Sequence, residues 1–239
     1  MTHSFYTHWR HVFKLDPERE IGDEALDRIC LSGTDAILVG GSSGVTYDNT
    51  VDLLARIRRY EVACAMELSD PACGVPGFDG YFIPSVLNAG SAAWLIGHHA
   101  SALADFGHLL PWDDVVGEAY LVLNPDSTVA RVTGAHASLT PAEAVAYAQV
   151  ADRLWNVPVL YLEYSGTFGD MALVRRVKDS LRQAHLIYGG GIDSPERARL
   201  AAGVAHTVVV GNIIYSNLEA ALATVSAVNE TIKEQHHVF

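Results

Sequence analysis

Glu163 stands at the end of an apolar run that has no evident use for it. The stretch PVLYLEYSG, residues 158–166, reads as a buried strand closing on Tyr161, Glu163, Tyr164, Ser165 and Gly166. Side chains alternate along a strand, so Tyr161, Glu163 and Ser165 share one face and Leu160, Leu162 and Tyr164 the other. The leucine face suits packing helices, which turns Glu163 toward the interior of the fold. A carboxylate there is costly unless paired or protonated, and a carboxylate under that constraint is a candidate general base.

Other strand exits carry polar residues that a core would not choose. HVFKLDP ends in Lys14 and Asp16, which alternation places on one face, although Asp16 before Pro17 also suits a simple turn. Gly40-Gly41-Ser42-Ser43-Gly44 precedes a helix start and forms a plausible cradle for an anion. Gly189-Gly190-Gly191 and Gly211-Asn212 lead toward two further helices and leave backbone N–H groups open to a phosphate. Glu67, Asn88 and Asn124 end three more strands and read as ordinary turn residues, and Asp170 reads as a helix cap.

What positions these residues is a rhythm of eight. Strands are expected at 11–16, 36–41, 62–69, 80–87, 117–125, 158–166, 184–192 and 206–215. Helices are expected at 22–32, 46–60, 91–107, 140–155, 170–183, 194–204 and 217–235, several opened by caps such as Thr140-Pro141-Ala142-Glu143. Strands alternating with helices make a parallel sheet, and eight units close most simply into a (β/α)₈ TIM barrel. DPACGVPGFD (70–79) is too short and too rich in Pro and Gly for a helix, so the third helix is missing. No linker divides residues 1–239, which read as one domain. In such barrels the chemistry gathers where the strands end, and the loops after strands seven and eight commonly hold phosphate.

Composition narrows the function classes. The 239 residues are 49% hydrophobic and 18% charged, enough for a well-buried core. A formal net charge of −12 argues against nucleic acid as a partner. It also leaves an anionic substrate to be held largely by backbone N–H groups and a metal ion. No stretch reaches the roughly 18 apolar residues of a membrane span. The opening MTHSFYTHWRHVFKLD lacks the apolar core of a signal peptide, so a cytoplasmic protein is the expectation. Cys30, Cys64 and Cys73 form no CxxC pair, and neither a disulfide nor a zinc site is expected.

HVFKLDP, GGSSGVT, VPGFDGYFIPSVLN, YLEYSG, YGGGI and VVVGNIIY, in this order, resemble the geranylgeranylglyceryl phosphate synthase family. The resemblance is to its bacterial branch, the heptaprenylglyceryl phosphate synthases or PcrB proteins, and runs from about Trp9 through the last helix. It implies a Mg²⁺-dependent homodimeric prenyltransferase on a modified barrel, joining sn-glycerol 1-phosphate to a polyprenyl diphosphate. By the same resemblance Lys14, the stretch Tyr161-Leu162-Glu163-Tyr164-Ser165-Gly166, Gly191, Gly211 and Asn212 bind glycerol phosphate, and Asp16 and Ser42 hold Mg²⁺. Glu163 is then the expected base. The helical stretch 92–107 is rich in small residues: Ala93, Gly97, Ala100 and Ala104 are expected to pack on the barrel, and Ala102, on another face, to keep a prenyl groove open. Two rivals are another phosphate-binding barrel, such as an isomerase of amino-acid biosynthesis, and a non-catalytic lipid- or phosphate-binding protein.

Overall fold

The computed structural model describes residues 5–68, 70 and 73–237. Eight parallel strands close into a barrel in sequence order. They are β1 (His11–Leu15), β2 (Ala36–Val39), β3 (Ala63–Glu67), β4 (Gly80–Val86), β5 (Val115–Val122), β6 (Val159–Glu163), β7 (His185–Gly189) and β8 (Thr207–Val210). The helices are α1 (Asp23–Cys30), α2 (Tyr47–Ile57), α3 (His98–Phe106), α4 (Thr128–Thr133), α5 (Pro141–Gln149), α6 (Met171–Ser180), α7 (Pro195–Ala202), α8 (Ile213–Ser216) and α9 (Leu218–His237). Among the described residues no α-helix separates β3 from β4.

Alternation divides the core in two. Val12, Leu38, Ala65, Phe82, Tyr120, Tyr161, Ile187 and Val209 fill the barrel, with Tyr6 and Trp9 packed against Phe82. Phe13, Leu15, Ile37, Leu160, Leu162, Leu186 and Tyr188 face outward onto helix residues such as Leu26, Leu53 and Val174. Each fully buried side chain of this size stabilises the fold by about 1.5–3 kcal/mol. Caps fix where the helices begin. Thr46 with Asn49, and Thr140 with Glu143, close capping boxes on α2 and α5, while Asp170 caps α6 and Ser194 caps α7.

Three expectations need correction. The apolar run after β8 reads as strand, yet Ile213–Ser216 turns into α8, so the strand is only four residues long and Gly211-Asn212 becomes a loop. A helix the sequence reading missed, α4, follows β5, opened by the Ser127 cap and closed by left-handed Gly134. The stretch 91–107 is not one α-helix. Ala93–Gly97 forms a π-turn, with the Gly97 N–H bonded to the Ala92 carbonyl, before α3 begins. That extra residue per turn rotates every later side chain, so the stripe of Ala93, Gly97, Ala100 and Ala104 does not hold together. Gly97, Ala100 and Ala104 are exposed rather than packed on the barrel, and Ala102 is half-buried, as are Leu95 and His99.

Candidate active site

The strand exits surround a cavity of about 490 Å³. Lys14, Asp16, Ser42, Tyr161, Glu163, Ser165, Gly166, Gly191, Gly211 and Asn212 all line it. Two residues of the YLEYSG stretch do not. Leu162 is sealed in the outer core, and Tyr164 packs against the Tyr188 ring at 5.8 Å. The pleat that points Glu163 inward points these two away, so their side chains serve packing. Ala102 lies on α3, outside the lining.

Glu163 sits on β6 opposite Val122 and Gly189 and is 2% exposed. Its Oε1 accepts the Ser165 N–H, and its Oε2 accepts the Tyr120 hydroxyl at 2.6 Å. Burial pushes its carboxyl above the ordinary value, against the pull of Lys14, Ser165 and Tyr120. A carboxylate in that range takes a proton more readily at neutral pH than a solvated one. The Tyr120 ring stacks on Tyr161 with centroids 4.7 Å apart, which fixes the direction of its hydroxyl. Gly189 makes room for Tyr161: a Cβ there would strike the phenol oxygen.

Lys14 pairs with Glu67 Oε1 at 2.6 Å. Burial favours the neutral amine, yet Glu67, Glu163 and Glu118 outweigh it and hold the ammonium above its ordinary value. Glu67 is therefore not a turn residue; it is buried and is the counter-ion of Lys14. Asn88 and Asn124 are structural braces. Asn88 bonds the Val122 and His136 backbones, and Asn124 donates to the Ser165 carbonyl at 2.6 Å.

The glycine rim is built by backbone constraint at some positions and not at others. Gly190 and Gly191 have φ of 140° and 59°, and a Cβ on either would collide with the backbone after β6. Gly211 is different. A Cβ there would meet nothing nearer than the Lys14 carbonyl at 3.6 Å, so the protein itself does not demand glycine, whereas a ligand drawn close to the backbone would. Arg19 braces this edge, its guanidinium 3.7 Å over the Tyr215 ring and donating to Asn212 Oδ1 at 3.1 Å.

Asp16 lies half-buried beside Gly41, where a Cβ would come within 2.5 Å of Asp16 Oδ1. Tyr215 accepts its N–H, and its Oδ1 accepts the Glu18 N–H. Burial raises the Asp16 carboxyl, opposed by the Glu18 amide, Lys14 and Arg19. Among the described residues no three His, Cys, Asp or Glu side chains converge as a metal cage. One carboxylate and the Ser42 hydroxyl on a shared pocket fit a hard cation that takes most of its ligands from phosphate and water.

Two residues of this interior were missed in the sequence. Tyr120 and Glu118 share the inward face of β5, where Glu118 is 1% exposed. The signal was available: the same alternation that singles out Glu163 runs through GEAYLV.

These features define a (β/α)₈ barrel whose mouth encloses a buried carboxylate, a paired lysine and a glycine rim suited to phosphate. The model of the PcrB family matches residues 5–229, and the chain belongs to that family. It is 54% identical over 220 residues to the heptaprenylglyceryl phosphate synthase of Bacillus cytotoxicus, covering 92% of this chain and 96% of that one. It is 52% identical over 226 residues to the namesake enzyme of Brevibacillus brevis, covering 95% and 98%. The (S)-3-O-geranylgeranylglyceryl phosphate synthase of Thermoplasma acidophilum, solved in complex with sn-glycerol-1-phosphate, superposes with a TM-score of 0.82. Its identity is 28%, over 95% of this chain and 96% of that one.

Proposed function

We propose that this protein is a prenyltransferase joining sn-glycerol 1-phosphate to a long polyprenyl diphosphate, heptaprenyl diphosphate, with release of diphosphate. Relatives named heptaprenylglyceryl phosphate synthase, at 52–54% identity, support the reading. The observation that carries it is the buried Glu163 carboxylate, held by Tyr120 and Ser165 at the glycine-rimmed end of the barrel.

Gly191, Gly211, Asn212 and Lys14 hold the phosphate of glycerol phosphate, which places its 3-hydroxyl by position rather than by collision. Glu163 accepts the hydroxyl proton as the glycerol oxygen bonds to C1 of the prenyl chain. The C1–O bond to diphosphate breaks at the same time, and its electron pair leaves with diphosphate. Asp16 and Ser42 would hold Mg²⁺, which when bound neutralises charge developing on the leaving group.

The inner apolar core continues past Val122 through buried Val86, Ala130 and Ala137, with half-buried Ala89 and Trp94 against it. We place the apolar tail of the donor along these mostly small side chains. A homodimer and a cytoplasmic location belong to the same reading. Among the described residues no helix is long and apolar enough to cross a membrane.

Single-turnover product formation from labelled sn-glycerol 1-phosphate and heptaprenyl diphosphate tests the proposal. Ether product at one equivalent per site is expected. Binding without product would leave the non-catalytic reading, and neither binding nor product would leave another phosphate chemistry.

A further inference from the structure

Three carboxyl groups surround one ammonium inside the barrel. Lys14 pairs with Glu67 from β3, Glu163 stands on β6 at the pocket, and Glu118 lies deeper on β5, outside the pocket lining. Glu118 Oε2 is buried and without a hydrogen-bond partner, and so is Glu67 Oε2. An ionised carboxylate left in that state loses its hydration with nothing in return. With all three ionised, the interior would carry two negative charges in excess of Lys14, and the phosphate of a substrate would be added to that field. A proton held on Glu118 removes one of those charges, and a neutral carboxyl leaves its unpartnered oxygen at a far smaller cost.

We infer that Glu118 is carried as a neutral carboxylic acid, and that its proton sets the affinity of the pocket for phosphate. The inference rests on the reading above, in which glycerol phosphate binds beside Lys14. Glu118 pairs in register with Pro84 of β4 and Val159 of β6, neither of which titrates. The ionisable groups facing it are Glu67, Lys14, Glu163 and Tyr161, with Tyr120 next along its own strand. Burial above all raises its carboxyl well beyond the usual range, Glu67 and Glu163 add to the rise, and Lys14 opposes it. Glu118 does not line the pocket, so it acts as a positioning residue for charge and not as a catalytic one.

The test follows one proton by two readouts. Infrared spectra of the Glu163→Gln chain, which lacks the raised and deeply buried Glu163 carboxyl, should show a protonated-carboxyl band at about pH 7.5. Glu118→Gln added to that chain should remove the band. Calorimetric titration of the same chain with sn-glycerol 1-phosphate, whose phosphate is fully ionised above about pH 7.5, then reads affinity as pH rises. Affinity should stay constant while the band persists and weaken about tenfold as it bleaches. Glu118→Gln, neutral at every pH, should bind within about threefold of its parent at pH 7.5 and lose that dependence. Absence of the band, its survival in Glu118→Gln, or an affinity that ignores its bleaching overturns the inference. If Glu118→Gln does not fold, the parent chain alone still decides through its band and affinity. Failure of sn-glycerol 1-phosphate to bind at any pH removes the reading of the pocket as well, which distinguishes the two failures.

Discussion

Tyr120 donates its phenolic hydrogen to Glu163 Oε2 at 2.6 Å while its ring lies nearly flat on Tyr161, 13° from parallel. The proposed base is thus aimed by a neighbour that is itself stacked in place. Removing the base and removing its guide have different consequences. Glu163→Gln keeps the volume and should lower turnover by roughly 10²–10⁴ with glycerol phosphate affinity retained. Near wild-type turnover at saturating substrates would take Glu163 out of the mechanism.

Tyr120→Phe supplies the pH dependence. The Tyr120 hydrogen bond stabilises ionised Glu163 and lowers its carboxyl, so losing it raises that carboxyl further. Turnover needs the ionised base, so the acid limb of the kcat profile should move to higher pH. Activity should fall more at neutral pH than in alkaline buffer. A uniform loss at every pH would mean that Tyr120 contributes by packing alone.

The inward face of β6 was legible because its alternation is strict and its other face is leucine. The Lys14–Glu67 pair was not, since 53 residues separate its members and only closure of the barrel joins them. Glu118 was passed over because one glutamate near the start of an apolar strand reads as an edge. At β8 the periodicity of VVVGNIIY favours a longer strand, but the chain turns at Gly211-Asn212 into α8. The lack of an α-helix between β3 and β4 among the described residues could be read directly, since Pro and Gly at that density leave no helix interior.

Variants of Asp16 and of the glycine rim distinguish metal binding from phosphate binding. Asp16→Asn should raise the Mg²⁺ concentration needed for activity and leave glycerol phosphate affinity nearly unchanged. Lost phosphate binding with an unchanged Mg²⁺ requirement would reassign Asp16 to the phosphate side.

Gly211→Ala asks the complementary question. The folded chain accepts a Cβ at this position with ordinary contacts, so melting temperature should hold within a few degrees. The same methyl would stand between the backbone and a bound phosphate, and glycerol phosphate affinity should fall about tenfold or more. Equal loss of stability and binding would mean that the loop, not a ligand, requires the glycine.

The last prediction concerns the length of the prenyl chain. The π-turn at Ala93–Gly97 undoes the close-packing account of the Gly97, Ala100 and Ala104 stripe, and that face of α3 is open to solvent. Ala102 remains half-buried on the same helix. Helix propensity is satisfied by alanine and nearly as well by leucine, so propensity alone does not call for a small residue at 102. If the tail passes this point, bulk at residue 102 closes the far end of its path while the near end stays open. Ala102→Trp should then depress turnover with heptaprenyl diphosphate and spare geranylgeranyl diphosphate, whose shorter chain ends earlier. Parallel kinetics with the two donors check this: equal losses, or none, would mean that the tail takes a route away from α3.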